Sequence, residues 1–472
     1  MFFDKLLIDG EWRGGVKTFP VVDKYTGETL AQVAEASRAQ VHEAVASALA
    51  AFRRGAPPPY ARYEMLMRAA EQVRARRAEL RDTIVAEAGF ALPDADGEVT
   101  RAVQTLSTSA EEAKRLAGEV IPLAGAPNQG NRIGFTIRVP LGVVCAITPF
   151  NSPLNTVTHK VGPALAAGNA VVLKPAGRTP LTAGLLCEAL REAGVPRGFI
   201  SLVHGPGSEM GEWLLAENDF RFYLFTGSTE VGKRIQRGAG LRRTQLELGS
   251  IASTIVCADA DLEAALPKIV SASFRKAGQV CTSIQLLHVE EPILEAFSAR
   301  LVAEAEKTKA GDPRLPETTV GPLISVAEAE RVERWIHEAV AQGATLATGG
   351  RRERAVVAPT VLTGVRPGMK VVDEEVFGPV VSILPFREFD EAVERVNASP
   401  FGLATGVFTR DLGRAFRAAL RLEVGSVHVN ETSSSRVDLM PYTGTKDSGF
   451  GVEGPKYAVR ELSEERLVTF RI

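Results

Sequence analysis

Cysteine is scarce in this chain, with Cys145, Cys187, Cys257 and Cys281 its only examples in 472 residues. They form no CxxC pair and no metal-ligand spacing, which excludes a disulfide scaffold and a zinc module and predicts reduced thiols in a cytoplasmic protein. No metal is expected. Long hydrophobic runs are missing as well: no apolar stretch approaches the ~18 residues that cross a bilayer. The start, MFFDKLLIDGEWRGG, interrupts its apolar residues with Asp4, Lys5 and Asp9, unlike a signal peptide. Neither sign of charge dominates, since 55 Lys+Arg against 57 Asp+Glu leave a net charge of -2. That removes the electrostatic argument for nucleic acid or an anionic membrane as partner. Internal repeats are absent, and the only low-complexity tract is the short run at 433–435. What remains, 45% hydrophobic and 24% charged, is ordinary for a globular chain with a sizeable core. Its length predicts two or three domains.

Four short apolar runs, GVVCAITPF (142–150), NAVVLKP (169–175), FISLVHG (199–205) and RFYLFTG (221–227), read as buried strands. Helical stretches separate them, one over 161–169 ending at Gly168-Asn169 and one from Thr179 to Ala193. Strand and helix alternating at this rhythm predict a doubly wound parallel sheet. Residues 37–91 are helical, broken at Pro57-Pro58-Pro59, and a long helix is expected from Asp96 to Leu116. Two extended arms around Ala126–Gly130 predict a protruding β-hairpin. After Glu247 a second α/β pattern begins, with IASTIVCA, QLLHVE, ATLATGG, PTVLTGV and VVSILPF as strands. The tail RLVTFRI reads as a strand with no obvious partner in its own sequence, as expected of an edge that completes another subunit's sheet.

Several residues invite a chemical reading, each with a plainer one beside it. FTGSTEVGKRI places G-x-x-x-x-G-K between a strand and a helix, but Arg234 stands where a P-loop needs Ser or Thr for Mg²⁺, so nucleotide hydrolysis is excluded. The loop still offers a helix N-terminus to a pyrophosphate. HGPGSEMG is not the Rossmann fingerprint, and both loops are equally readable as tight turns that need φ > 0. Cys281, in FRKAGQVCTSIQ, has small polar neighbours, and Gly278 lets a backbone approach closely. The other three cysteines lie in apolar surroundings, so Cys281 alone suits an accessible nucleophile. Glu247 in LELGS reads equally as a solvated strand end, Asn151 in TPFNSPLN as a turn residue, and Lys174 as a surface lysine.

Taken together, TPFNSPLN, LKPAGRTP, FTGSTEVG, LELGS, GQVCTS, EEVFGP and KDSGFG, in this order and at these spacings, are specific. From IDGEW to KDSGFGVEGPKY the chain resembles the aldehyde dehydrogenase superfamily. The resemblance implies an α/β fold of two doubly wound domains, a coenzyme domain (1–118 and 140–246) and a catalytic domain (247–438). It also implies an oligomerisation element (119–139 and 439–472) and a homodimer or homotetramer. NAD or NADP is the implied coenzyme, held by Thr148, Pro149, Phe150, Lys174, Ala176, Gly177, Gly207, Gly227, Ser228, Val231, Leu248, Gly249, Glu375 and Phe377. Cys281 becomes the nucleophile, the Asn151 side chain and the Cys281 N–H the oxyanion donors, and Glu247 the base that hydrolyses a thioester.

Glu247 argues against relatives that pass the acyl group to coenzyme A, and Cys281 against members that bind without turnover. Four positions depart from the family pattern: Phe150, Ser250, Thr443-Gly444 and, bearing on the coenzyme, Gly177 in place of a ribose-binding glutamate. Without that carboxylate a 2′-phosphate is not repelled, so NADP is expected to be accepted as well as NAD. For the substrate, Ser152, Asn155 or Thr156, and His159 share one polar helix face. Arg101 and Arg436 are candidates to reach the same tunnel, with Thr282 beside the nucleophile. This predicts a small polar or anionic aldehyde, and the C-terminal motifs are similar to enzymes acting on lactaldehyde, glyceraldehyde phosphate, phosphonoacetaldehyde or succinic semialdehyde.

Overall fold

The computed structural model describes residues 3–472. The four apolar runs form the centre of a parallel array, Ile200–Leu202, Ala170–Lys174, Val143–Ile147, Phe220–Thr226 and Arg243–Glu247, in that spatial order. Lys5–Ile8 and Glu11–Gly14 extend one side antiparallel, and Gly449-Phe450 of KDSGFG extends the other beside Leu246 and Glu247. Buried on both faces, the central strands carry Val143, Val144, Cys145, Ala170, Val171 and Val172 without exposure. This is why they read as unbroken apolar runs.

Helices cover the sheet where the sequence places them. Ser37 and Gln40 close a reciprocal capping box on Arg38–Arg54. The long helix starts a turn earlier than expected, at Leu92, because Pro93 fits a first helical turn, and ends at Arg115. Asn155–Ala167 likewise begins before its apolar stretch and stops at Gly168, left-handed at φ +94. Asn169 follows as a fastener: its Oδ1 accepts the N–H groups of Leu141 and Gly142, and its Nδ2 donates to the Leu462 carbonyl.

A second sheet takes the order Thr345–Thr348, Thr360–Thr363, Val380–Phe386, Leu286–Glu290, Ser253–Val256, Ala404–Phe408 and Ser426–Val429, parallel apart from its first pair. The last two strands were not among those expected from the sequence; a glycine (Gly406) and a histidine (His428) interrupt their apolar character.

The tail strand has a partner that its own sequence does not show. Ser463–Arg471 has a partner in its own chain, pairing antiparallel along the whole length of Arg132–Pro140, from Ser463↔Pro140 to Arg471↔Arg132. The two segments are more than 300 residues apart, so no local pattern reveals the match. Segment 439–472 also divides: Ala458, Val459 and Leu462, at the C-terminal helix Pro455–Glu461, enter the core of the first sheet. No helix of the described residues is long and apolar enough to cross a membrane.

Candidate active site

The C-terminal ends of the first sheet's parallel strands face the segments that lead into the second sheet, and a cavity of about 720 Å³ lies between them. Such strand ends are where an open α/β sheet leaves room for a ligand. Thr148–Asn151 follow the 143–147 strand, Lys174 ends its neighbour, Gly207 and Ser228 open helices, and Glu247 closes the last parallel strand, Arg243–Glu247. From the other side come Cys281, ahead of Leu286–Glu290, and Glu375 and Phe377, ahead of Val380–Phe386.

All of these line the cavity, together with Pro149, Phe150, Ala176, Gly227, Val231, Leu248, Gly249, Thr282, Arg101 and Arg436. Two expected residues do not. Gly177 has no side chain to present, and a Cβ there would meet only Phe19, at 4.0 Å. His159 is buried behind the wall, 1% exposed, its Nε2 2.8 Å from Asp438. Ser152, Asn155 and Thr156 do reach the cavity, but the first two spend their polar groups internally. Ser152 donates to Glu98 at 2.5 Å, and Asn155 bonds Thr105 and Asp438.

The glycine loops are shaped by contact rather than by left-handed backbone. Gly205, Gly207, Gly211, Gly227 and Gly232 all have φ outside the positive range. A Cβ at Gly227 would strike Phe225 at 2.5 Å, and one at Gly207 would meet nothing within 4 Å. Ser228 caps Thr229–Ala239 without a side-chain bond, so the first N–H groups of that eleven-residue helix lack a serine oxygen and suit a pyrophosphate. Burial lowers Lys174 to about 8 and raises Glu375 to about 7, with a Glu375 oxygen held 2.9 Å from the Ser250 N–H. Phe150 and Phe377 meet edge to face at 5.8 Å, so phenylalanine at 150 keeps an aromatic wall. An open glycine cradle, a helix N-terminus and two buried titratable groups fit a dinucleotide.

Cys281 is half-buried, whereas the other three thiols are fully buried. Gly278, at φ +69, leaves no room for a side chain, because a Cβ would lie 2.1 Å from the Gly378 carbonyl. The GQVC and EEVFGP motifs therefore interlock. Burial, then the charge of Glu247, raises the Cys281 thiol well above its usual value; the Tyr442 hydroxyl and the Arg436 charge pull the other way. Glu247 itself, 5% exposed, is pushed up to about 7 by burial and next by Glu453, and its Oε1 has no hydrogen-bond partner.

The arginines divide differently from the sequence reading. Arg101 makes two bonds to Asp438, at 2.7 and 3.1 Å, and Arg436 bonds Glu453 at 2.8 Å. Arg275, which the sequence reading passed over although it stands six residues before Cys281, also lines the cavity. Among the described residues no carboxylate lies within ion-pair distance of it, and its Nη2 donates to Ser434 at 2.6 Å. Tyr442 was missed too; its hydroxyl lies 3.0 Å from the Cys281 sulfur. Only the residue type at the end of a C-terminal loop marked it.

Comparison with known proteins gives a consistent result. Residues 12–468 match the aldehyde dehydrogenase family. A 3-sulfolactaldehyde dehydrogenase of Priestia aryabhattai is 48% identical over 467 residues, covering 99% of this chain and 98% of that protein. The crystal structure of aldehyde dehydrogenase 21 from Physcomitrella patens, in complex with the reaction product succinate, superimposes with a TM-score of 0.96 at 36% identity, covering 99% and 98% of the two chains. A glyceraldehyde-3-phosphate dehydrogenase from Methanocaldococcus jannaschii complexed with NADP gives 0.92 at 35% identity, covering 97% and 99%.

Proposed function

The chain belongs to the aldehyde dehydrogenase family, an oxidoreductase acting on aldehydes with NAD(P), and on that premise we propose that it oxidises a small anionic aldehyde to the acid through Cys281. The observation that carries the reading is that Cys281, Glu247 and a guanidinium without a carboxylate partner, Arg275, share one cavity.

Glu247, with an acidity near neutral, takes the thiol proton, and the sulfur lone pair attacks the aldehyde carbon. The negative oxygen of the thiohemiacetal is held by the Asn151 side chain and the Cys281 N–H. The bound coenzyme supplies a hydride acceptor. Lys174 and the N–H groups after Ser228 hold its adenosine and pyrophosphate end, and Glu375 and Phe377 its nicotinamide end. Glu247, once it has released the thiol proton to solvent, removes a proton from the water that hydrolyses the Cys281 thioester. Arg275 binds the substrate's anionic group, because burying an unpaired charge is unfavourable until an anion arrives. A relative named for 3-sulfolactaldehyde and a neighbour holding succinate both support a short anionic substrate.

The chain is further read as a cytoplasmic homo-oligomer. The strand 463–471 is the outer strand of its three-stranded sheet and exposes Leu467 and Phe470, a fitting seat for a second copy.

Cys281→Ala tests the assignment. It should abolish oxidation of every aldehyde while coenzyme still quenches protein fluorescence. Steady-state turnover at the parent rate would refute the nucleophile.

A further inference from the structure

We propose that the Tyr442 hydroxyl is a catalytic hydrogen-bond donor to the Cys281 sulfur, holding the thiolate in place before it attacks. The inference rests on Cys281 being the nucleophile and adds a residue to its machinery.

The tyrosine is fixed from three directions. Its backbone pairs both ways with Glu453, N–H to carbonyl at 3.1 Å and carbonyl to N–H at 2.8 Å. The Arg436 guanidinium stacks 3.8 Å above its ring and is itself bonded to Glu453, which also pairs with the buried Lys160. The ring is 5% exposed, and its hydroxyl is left facing the sulfur at 3.0 Å. The cation on the ring face draws electron density from the phenol and strengthens it as a donor. Burial keeps the phenol protonated, its pKa raised well above the usual value, so it acts as a donor and not as a competing base.

In the resting thiol either atom can be the donor. Once the thiol proton has moved to Glu247, the sulfur is an acceptor only, and the contact becomes O–H to thiolate. That bond stabilises the thiolate and lowers the thiol's pKa. It also lowers the thiolate's intrinsic nucleophilicity, which follows basicity with a slope of about 0.4–0.5. The two effects have opposite signs on either side of the pKa, and a purely structural tyrosine would not produce that signature.

The experiment is the pH profile of Cys281 alkylation by iodoacetamide, read on the Cys281 peptide, in the parent enzyme and in Tyr442→Phe. Loss of the hydroxyl should raise the apparent pKa by about one unit. The rate below the pKa should then fall about three- to fourfold while the high-pH plateau rises about threefold, so that the curves cross. Superimposed profiles, or a fall on both limbs, would overturn the proposal. Should the phenylalanine variant not fold, Tyr442→Leu removes the hydroxyl and gives the same comparison. An active Cys281→Ala would remove the nucleophile assignment itself, whereas an inactive Cys281→Ala with uncrossed profiles would remove only the tyrosine's role.

Discussion

The Lys276 ammonium lies 2.8 Å from a carboxylate oxygen of Glu98, with the two side chains 6% and 1% exposed. This pair ties the nucleophile loop to the helix Leu92–Arg115 and to the loop carrying Asn151. Lys276 also donates to the Asn151 carbonyl at 3.2 Å, and Glu98 accepts the Ser152 hydroxyl and the Asn155 N–H. Lys276 and Ala277 adopt φ of +52 and +53, a strained conformation for residues with side chains. The ion pair over-determines that turn and so sets where the Cys281 sulfur points relative to Asn151.

Lys276→Met should therefore leave a buried, uncompensated carboxylate and destabilise the protein by about 3–5 kcal/mol in urea unfolding. Adding Glu98→Gln should recover part of the loss, since the stranded charge is removed. In both variants kcat/KM for the aldehyde should fall further than coenzyme affinity. Additive losses in the double variant would mean the two side chains do not act as a pair.

Glu247 gives a pH prediction with two readouts. Its acidity near 7 means that thioester hydrolysis should rise with pH through about 7 and then level off. Glu247→Gln should lose that limb and accumulate a Cys281 acyl-enzyme, visible by mass after one turnover. For stability, a carboxyl with a raised pKa in the folded state favours folding fully below its unfolded value and loses that contribution as pH rises through about 7. Glu247→Gln should thus gain up to about 3 kcal/mol on the parent at pH 8.5 relative to pH 4. Thermal melting at the two pH values measures it, and an equal effect at both would count against a raised pKa.

Much of this site was legible because it is written in loops whose residues must be of one type. Gly278 is needed where a Cβ would lie 2.1 Å from a carbonyl, and the parallel strands announce themselves by burial on both faces. Pairings across the chain were not legible. Nothing near His159 says that Asp438 lies 2.8 Å away, and nothing near Arg436 says that Glu453 claims it. A polar helix face therefore looked like a substrate wall although much of its hydrogen bonding is internal. Arg275 was passed over because the polar character of the Cys281 loop was read from its small residues, while the unpaired charge is visible only once every nearby carboxylate is placed.

The coenzyme end yields a third prediction. With open space around Gly177 and Arg178 lining the adjoining wall, a 2′-phosphate meets no carboxylate at residue 177. NADP should be used with kcat/KM within about a thousandfold of NAD, a window of some 4 kcal/mol. Gly177→Glu, whose side chain enters that open space, should shift the NADP/NAD ratio at least tenfold toward NAD. An unchanged ratio would show that residue 177 does not face the ribose.

The substrate prediction turns on which guanidinium is free. Arg101 and Arg436 already satisfy buried carboxylates, so removing either strands Asp438 or Glu453 and should lower stability together with activity toward all aldehydes. Arg275 makes no ion pair among the described residues: its hydrogen bond goes to Ser434, and the Asp94 and Glu98 carboxylates act on it only from longer range. Arg275→Met should therefore leave melting nearly unchanged. It should lower kcat/KM at least tenfold for 3-sulfolactaldehyde and succinic semialdehyde, while an uncharged aldehyde of similar length changes little; a charge-assisted, bidentate contact of about 1.5–3 kcal/mol corresponds to such a loss. Sulfonate and carboxylate arms in the same panel separate a tetrahedral from a planar head group. Hexanal or benzaldehyde as the best substrate of the parent, or equal losses for charged and uncharged aldehydes in Arg275→Met, would take the anion out of the assignment and leave Arg275 as a wall residue.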